Sequence, residues 1–264
     1  LSPSLAGSSG EALDVDVNET RLKIGNWLYK NCFPLYNFTY TRFKRTNDRH
    51  EIELLKRLIV PGDHVLDIGA NIGFYARIIS GLVGNKGKVY CFEPDRTNYK
   101  HLVENTGGLN NIELFNVAVS DSDEPLTLYK SKLLNVDHRT YPVRNYDSIE
   151  EIHARCIDSM VGREIEKVNL IKIDIQGFEL TAFKGMRILL GAAHDIKILA
   201  EYWPHGFRRA GTDAVEVYDF LDRLGYRFSL IDEGHVAPLK RDYVLGNNDQ
   251  PFEFSFNVLI EKKR

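Results

Sequence analysis

The chain has 264 residues, 43% hydrophobic and 27% charged, the composition of an ordinary folded domain rather than of a disordered or fibrous chain. A formal net charge of −3 gives no global positive field to recruit phosphates, so a dedicated nucleic-acid binder is not expected. No apolar run approaches the roughly 20 residues a membrane-spanning helix needs, and Cys32, Cys91 and Cys156 are too scattered for a metal ladder or a disulfide framework.

The chain begins at Leu1 rather than Met and carries no signal-peptide pattern. We therefore expect a piece of a longer, multidomain protein with a cytoplasmic location, and read the sequons at Asn18 and Asn37 as accidental. Residues 1 to about 19 are rich in Ser, Gly and Asp and predict a flexible lead. Trp27, Tyr29, Phe33, Tyr36 and Phe38 then predict a helix and an ordered loop that cover something. Trp27 and Tyr36 either line a substrate site or plug the edge of a core. This lead and cover span 1–47, and the main domain 48–264.

Asp48-x-x-Glu51 fits a capping box, and Ile52, Leu54, Leu55, Leu58 and Ile59 supply the apolar stripe of the helix behind it. Pro61-Gly62-Asp63 ends that helix. Strands are predicted over 64–68, 88–92 and 111–119, with helices over about 74–83 and 96–106 between them. Strand, helix, strand, helix, strand at this spacing makes a parallel sheet with right-handed crossovers the default. Further on, 126–129 and 153–157 read as short strands around a polar stretch, 130–144. Residues 168–175 form a buried strand, 178–190 a helix and 196–200 another strand. A helix over 214–224 and closing strands over 226–231 and 252–260 follow, the second closing strand antiparallel.

The first strand runs into Asp67-Ile68-Gly69-Ala70-Asn71-Ile72-Gly73. Gly69 allows the sharp turn, and Gly73 brings a helix N-terminus with free N–H groups close to a ligand. The spacing Gly-x-x-x-Gly lacks the middle glycine of the dinucleotide fingerprint. Asp67 would repel a pyrophosphate and suits a ligand carrying an ammonium group. Glu93 follows the turn by about 20 residues at the end of the second strand, where a carboxylate accepts from both ribose hydroxyls, and Pro94 fixes the turn behind it. An amino-acid end, a nucleoside end and no phosphate describe S-adenosylmethionine.

The segments VLDIGANIGFYARIIS, VYCFEPDRTNYKHLVEN, NVAVSDSD and LIKIDIQGFELTAFKGM, in this order, resemble the FkbM family of S-adenosylmethionine-dependent methyltransferases over about 51–202. Many members carry Glu where this chain has Gln176, a neutral isostere that keeps hydrogen bonding but not basicity. The resemblance implies, over 48–264, a class I methyltransferase domain: a Rossmann-like α/β fold of seven mostly parallel strands, helices on both faces, the last strand antiparallel. It implies the methionine end of the cofactor near Asp67, Gly69, Ala70, Asn71 and Gly73, the ribose at Glu93, and the adenine along Ala118 to Asp121. Asp174 would face the transferred methyl and the acceptor; its other reading is a cap for the helix that follows.

Transfer to a hydroxyl requires a general base, or a metal that lowers the hydroxyl pKa. Candidates are Asp174, Glu201, His205 and His138. Asp174 with Glu201 could also hold a divalent ion through oxygen ligands, and the sequence does not separate these two roles. Arg139, Arg144, Arg208 and Arg209 could meet an acidic acceptor, and Tyr202 and Trp203 could meet the face of a sugar ring. The resemblance, together with the absence of an Asn/Asp-Pro-Pro-Tyr sequence, points to O-methylation of a carbohydrate or glycosylated small molecule. A nicotinamide-dependent oxidoreductase and a catalytically silent binding module are the alternatives. The missing glycine and Asp67 count against the first, and the intact cofactor motif against the second.

Overall fold

The computed structural model describes residues 23–131, 138–142, 146–163, 165, 167–252 and 254–263. The predicted lead, most of the polar stretch and Arg144 lie outside the described residues. A helix over 23–31 (α1) is followed by α2 (Phe33–Asn47) and α3 (Arg49–Leu58). The first parallel half comprises β1 (His64–Ile68), α4 (Phe74–Val83), β2 (Lys88–Phe92), α5 (Arg96–Thr106) and β3 (Ile112–Phe115). Next come the short strands β4 (Ala118–Val119), β5 (Leu126–Ser131), β6 (Tyr146–Ile152) and β7 (Ala154–Arg155), then α6 (Ile157–Met160). The second half contains β8 (Leu170–Ile173), α7 (Glu179–Lys184), α8 (Arg187–Ala192), β9 (Lys197–Tyr202), α9 (Pro204–Arg209) and α10 (Ala214–Arg223). It closes with β10 (Tyr226–Asp232), β11 (His235–Leu239), α11 (Arg241–Gly246) and β12 (Phe256–Lys262).

One sheet orders the strands β11-β10-β12-β9-β8-β1-β2-β3. The five from β3 to β9 are parallel, and β12 enters antiparallel between β9 and β10. The expected seven strands are present with an eighth, β11, added as a hairpin partner of β10. All five residues of β1 and all four of β8 are buried, as strands with both faces covered must be. Alternation sends Leu66, Ile68, Ile171 and Ile173 into the larger core, while Val65, Leu170 and Leu199 meet α3 and α4 on the other face.

Four sequence expectations change. The predicted strand 111–119 breaks at Asn116, whose amide donates to the carbonyls of Glu93 and Pro94. The chain then leaves the main sheet, and β4 pairs with β7 instead. The predicted helix 178–190 is two helices, because the Asp158 carboxylate accepts from the N–H groups of Ile188 and Leu189 in the first turn of α8. The 153–157 strand shrinks to β7, with Ile157 already opening α6. The helix after Asp48 forms, but Asp48 makes no side-chain cap; its carboxylate turns to Tyr75 and Lys44.

Candidate functional site

At the carboxyl end of β1 the backbone N–H groups of Gly69 and Ala70 both donate to the Phe92 carbonyl at 3.0 Å. Gly69 has φ +83°, and a Cβ there would lie 2.1 Å from the Asp174 carbonyl oxygen, so only glycine fits. Asn71 follows with φ 51°, a conformation Asn tolerates better than most residues. Its N–H donates to Glu93 Oε2 at 2.9 Å. Gly73 has φ +89°, a left-handed conformation that suits glycine, and α5 packs close to it: a Cβ there would meet Leu102 Cδ1 at 2.9 Å and Thr106 Cγ2 at 3.3 Å.

Glu93 is buried at the end of β2 and anchored twice, because its Oε1 accepts from the Asp95 N–H at 2.9 Å. Burial pushes its pKa up to about 8, against the two backbone donors that favour the anion. Glu93 and Pro94 border a cleft of about 610 Å³ whose apolar wall is Phe92, Val117, Ala118, Val119 and Leu128. Phe92 is backed by a stacked Phe115 at 4.9 Å.

A second cleft of about 1090 Å³ adjoins the first, sharing Gly69, Asn71, Asp174 and Gln176 with it. Its lining carries charge, in Lys44, Asp48, Glu51, Lys172, Asp174 and Glu201. Asp67 does not line it: this acid is fully buried on β1, and neither carboxylate oxygen has a hydrogen-bond partner among the described residues. Burial raises its pKa to about 6, moderated by Lys172, its register partner on β8. Burial opposes the Lys172 charge, but Asp174, Asp67 and Glu51 outweigh it and raise the pKa. The Lys172 ammonium lies 4.5 Å from the centre of the Tyr75 ring. The Tyr75 hydroxyl stands 2.7 Å from both Asp48 Oδ2 and Glu51 Oε2. Burial pushes Glu51 up, opposed by the Lys172 charge and by the Tyr75 hydrogen bond.

Asp174 continues β8, its N–H donating to the Ile68 carbonyl. Next to it Gln176 adopts φ 58°. The Gln176 amide donates to Asp174 Oδ1 at 2.9 Å and reaches Glu201 Oε2 at 3.4 Å, tying the ends of β8 and β9 together. Its carbonyl accepts from the Tyr141 hydroxyl at 2.8 Å. Burial first, and the adjacent Asp174 second, push Glu201 up to about 7. Glu179, at the start of α7, is also buried and pushed up to about 8 by burial; its Oε1 accepts from the Ile175 N–H. Asp174 therefore does not cap α7; that side chain serves the cleft.

The other candidates lie apart from the Asp174–Glu201 pair. His138 borders the first cleft at the Glu93 end, accepting from the Ser131 N–H at 3.1 Å with Nε2 3.8 Å from Asp95 Oδ2. His205 packs against the rings of Trp203 and Phe252. Asp121 is exposed, beyond the Val117–Val119 wall. Tyr36 is buried and Trp27 is 60% exposed. Tyr202 is a core residue, while the Arg139 guanidinium lies 4.9 Å from the Trp203 ring. Arg208 and Arg209 donate to the carbonyls of Gln250 and Pro142. The sequence reading passed over Lys172, Tyr75 and Glu51. A lone lysine inside the apolar strand Leu170–Ile173 was the available signal, because unpaired charges are rarely buried. No cluster of three or more His, Cys, Asp or Glu able to hold a metal occurs among the described residues.

The strand order, with its antiparallel final strand and a cleft across the carboxyl ends of β1, β2, β8 and β9, defines the class I methyltransferase fold. The chain belongs to the FkbM methyltransferase family, whose domain model matches residues 67–228. It is 28% identical over 153 residues to the 2-O-methyltransferase NoeI of Sinorhizobium fredii, covering 52% of this chain and 61% of that protein. It is 28% identical over 137 residues to the hexuronic acid methyltransferase AglP of Haloferax volcanii, covering 51% of this chain and 54% of that protein. The match therefore spans little more than half of each relative's length. Among solved structures, a Clostridium thermocellum protein described as an rRNA methylase superposes with a TM-score of 0.50 at 13% identity, over 81% of this chain and 94% of that one. At that identity the likeness is one of fold.

Proposed function

We propose that the protein transfers the methyl group of S-adenosylmethionine to a hydroxyl of a carbohydrate or glycosylated small molecule, with Glu201 as the general base. The observation that carries this reading is the Gln176 bridge between Asp174 and Glu201, beside a carboxylate whose pKa lies near neutrality. The family supports methyl transfer, and the two relatives, one a 2-O-methyltransferase and the other a hexuronic acid methyltransferase by name, support oxygen and a sugar respectively as the acceptor.

The residues fit the cofactor. Asp67 lies buried behind Gly69 and Ala70, its two oxygens without a hydrogen-bond partner among the described residues, which suits a cationic group nearby. Asp67, Gly69, Ala70 and Asn71 would hold the amino-acid end. Glu93, already oriented by two backbone N–H groups, keeps lone pairs for ribose hydroxyls, and Pro94 closes the turn behind it. Phe92 with Val117, Ala118 and Val119 would enclose the purine. When bound, S-adenosylmethionine supplies a methyl group already activated on a sulfonium.

The protein's remaining work is alignment and one proton transfer. A Glu201 oxygen would take the proton of the acceptor hydroxyl, while bound S-adenosylmethionine would supply the methyl and leave as S-adenosylhomocysteine, its S–CH3 bond broken as the O–CH3 bond forms. The Gln176 amide holds the Asp174 carboxyl beside Glu201, and this neighbour adds to burial in raising the Glu201 pKa. The base must be ionised to act, so the rate should rise with pH through about 7 and level off above it. Glu201→Gln should lower kcat by about 100- to 10,000-fold and abolish that rise, with cofactor affinity unchanged. The measurement is transfer of labelled methyl to a panel of glycans across pH. An unaltered pH profile in Glu201→Gln removes Glu201 as the base, and transfer only to protein or nucleic-acid nitrogen overturns the hydroxyl acceptor.

A further inference from the structure

The layer formed by α1 and α2 is unlike the rest of the molecule. From residue 20 to residue 47 the chain contains no Asp or Glu, yet it carries Arg21, Lys23, Lys30, Arg42, Lys44 and Arg45, in a protein whose overall charge is −3. Arg21 lies outside the described residues. The inner side of the layer is built normally. Tyr29 and Tyr36 are buried, the Tyr29 hydroxyl donates to Asn98 on α5, and Phe33 stacks on His101 at 3.4 Å.

The outer side is apolar where a monomer's surface is usually polar. Ile24 and Trp27 on α1, and Leu35, Phe38 and Phe43 on α2, are all exposed, Phe38 to 67%. Leu35, Phe38, Arg42 and Arg45 fall at i, i+3, i+7 and i+10, one stripe of α2. Beside the stripe runs a groove bordered by Phe38, Thr41, Arg42, Arg45, Thr46 and, from α4, Arg77. None of these three arginines makes an ion pair among the described residues. Three guanidiniums with no carboxylate, next to outward aromatic rings, form a surface with anion-binding capacity and apolar anchors side by side.

We propose that this face docks the protein on an anionic lipid surface, with the arginine groove taking headgroup phosphates and Trp27, Phe38 and their neighbours entering the headgroup–acyl boundary. Basic residues that flank exposed aromatic and aliphatic groups suit that boundary, where one phase is anionic and the other apolar. Charge decides against a second copy, because a two-fold contact would set Arg42 and Arg45 against their own counterparts with no acid between them. Ile24 and Leu35 decide against single-stranded nucleic acid, since aliphatic side chains offer bases no stacking platform. Peripheral docking needs no spanning segment, and no helix among the described residues is long and apolar enough to cross a membrane. The inference is independent of the acceptor and of Glu201.

The test is co-sedimentation of the full chain with phosphatidylcholine vesicles, with and without phosphatidylglycerol, at low and high salt. Binding is expected only with phosphatidylglycerol and should weaken as salt rises. Arg42→Glu with Arg45→Glu should weaken it by about tenfold or more, since each basic residue at such a surface is worth on the order of fivefold. Trp27→Ser with Phe38→Ser should weaken binding at every salt concentration. Calorimetry with S-adenosylhomocysteine, unchanged in both variants, shows that they remain folded. Equal binding to both vesicle types, or undiminished binding by the variants, overturns the proposal. So does self-association or single-stranded RNA binding through this face without vesicle binding.

Discussion

At Glu93 both carboxylate oxygens already accept backbone N–H groups, one from each side of the cleft mouth. The side chain cannot swing to meet a ligand, so its recognition is prepaid in the fold. Asp67 is the opposite case: two buried oxygens with no hydrogen-bond partner among the described residues, and a pKa raised to about 6. A group in that condition gains most from a cationic ligand. Glu93→Gln keeps the shape but replaces one acceptor oxygen by a donor, which faces the N–H of Asn71 or of Asp95. Hydrogen bonds to charged groups contribute about 1.5–3 kcal/mol each. Calorimetric titration with S-adenosylhomocysteine should therefore show a loss of affinity of roughly ten- to a hundredfold. Titration indistinguishable from the parent chain would place the ribose elsewhere. Both acids were legible because each lies near a strand end within two residues of a glycine or proline. Tyr75 was not, because it looks like one more member of a core stripe until Asp48 and Glu51 meet its hydroxyl, and the lone lysine at 172 gained its meaning only once Asp67 lay alongside it on β1.

At the scale of elements, β1 and β2 occupy the residues expected from their short apolar runs, 64–68 and 88–92. Three of the four changes each involve one polar side chain acting across a long stretch of sequence. Asn116 reaches back 23 residues to Glu93, Asp158 forward 30 residues to Ile188, and Asp48 forward 27 to Tyr75. Local periodicity carries no trace of such contacts, so the third strand, the split of α7 from α8 and the use of Asp48 lay beyond it. Asp158 offers a direct check. Its carboxylate satisfies two free N–H groups of α8, so Asp158→Ala should cost about 0.5–2 kcal/mol, the usual effect of deleting a helix cap. Denaturant unfolding would read this as a lower midpoint with unchanged slope. An unchanged midpoint would mean that water replaces the carboxylate without loss.

At the scale of the whole molecule, the cleft draws on both halves of the sheet. β1 and β2 supply the turn and Glu93; β8 and β9 supply Asp174 and Glu201. A ligand that bridges the halves stabilises the native state against unfolding. With S-adenosylhomocysteine at a hundred times its dissociation constant, the gain should be about 2.7 kcal/mol. Thermal unfolding with and without ligand measures it, and an unmoved midpoint at saturation would deny that the cleft is the binding site.

The position of β12 also governs how such a chain is made. Glu201 lies on β9, opposite Asn257 of β12, and β12 in turn pairs with β10. During synthesis the outer edge of β9 has no neighbour until residue 262 has left the ribosome. A nascent chain therefore exposes a bare strand edge until β12 has been made, a stage at which chaperones are useful. A chain cut short before β12 would lack the strand that pairs with the proposed base, so the proposed activity would require β12 in place.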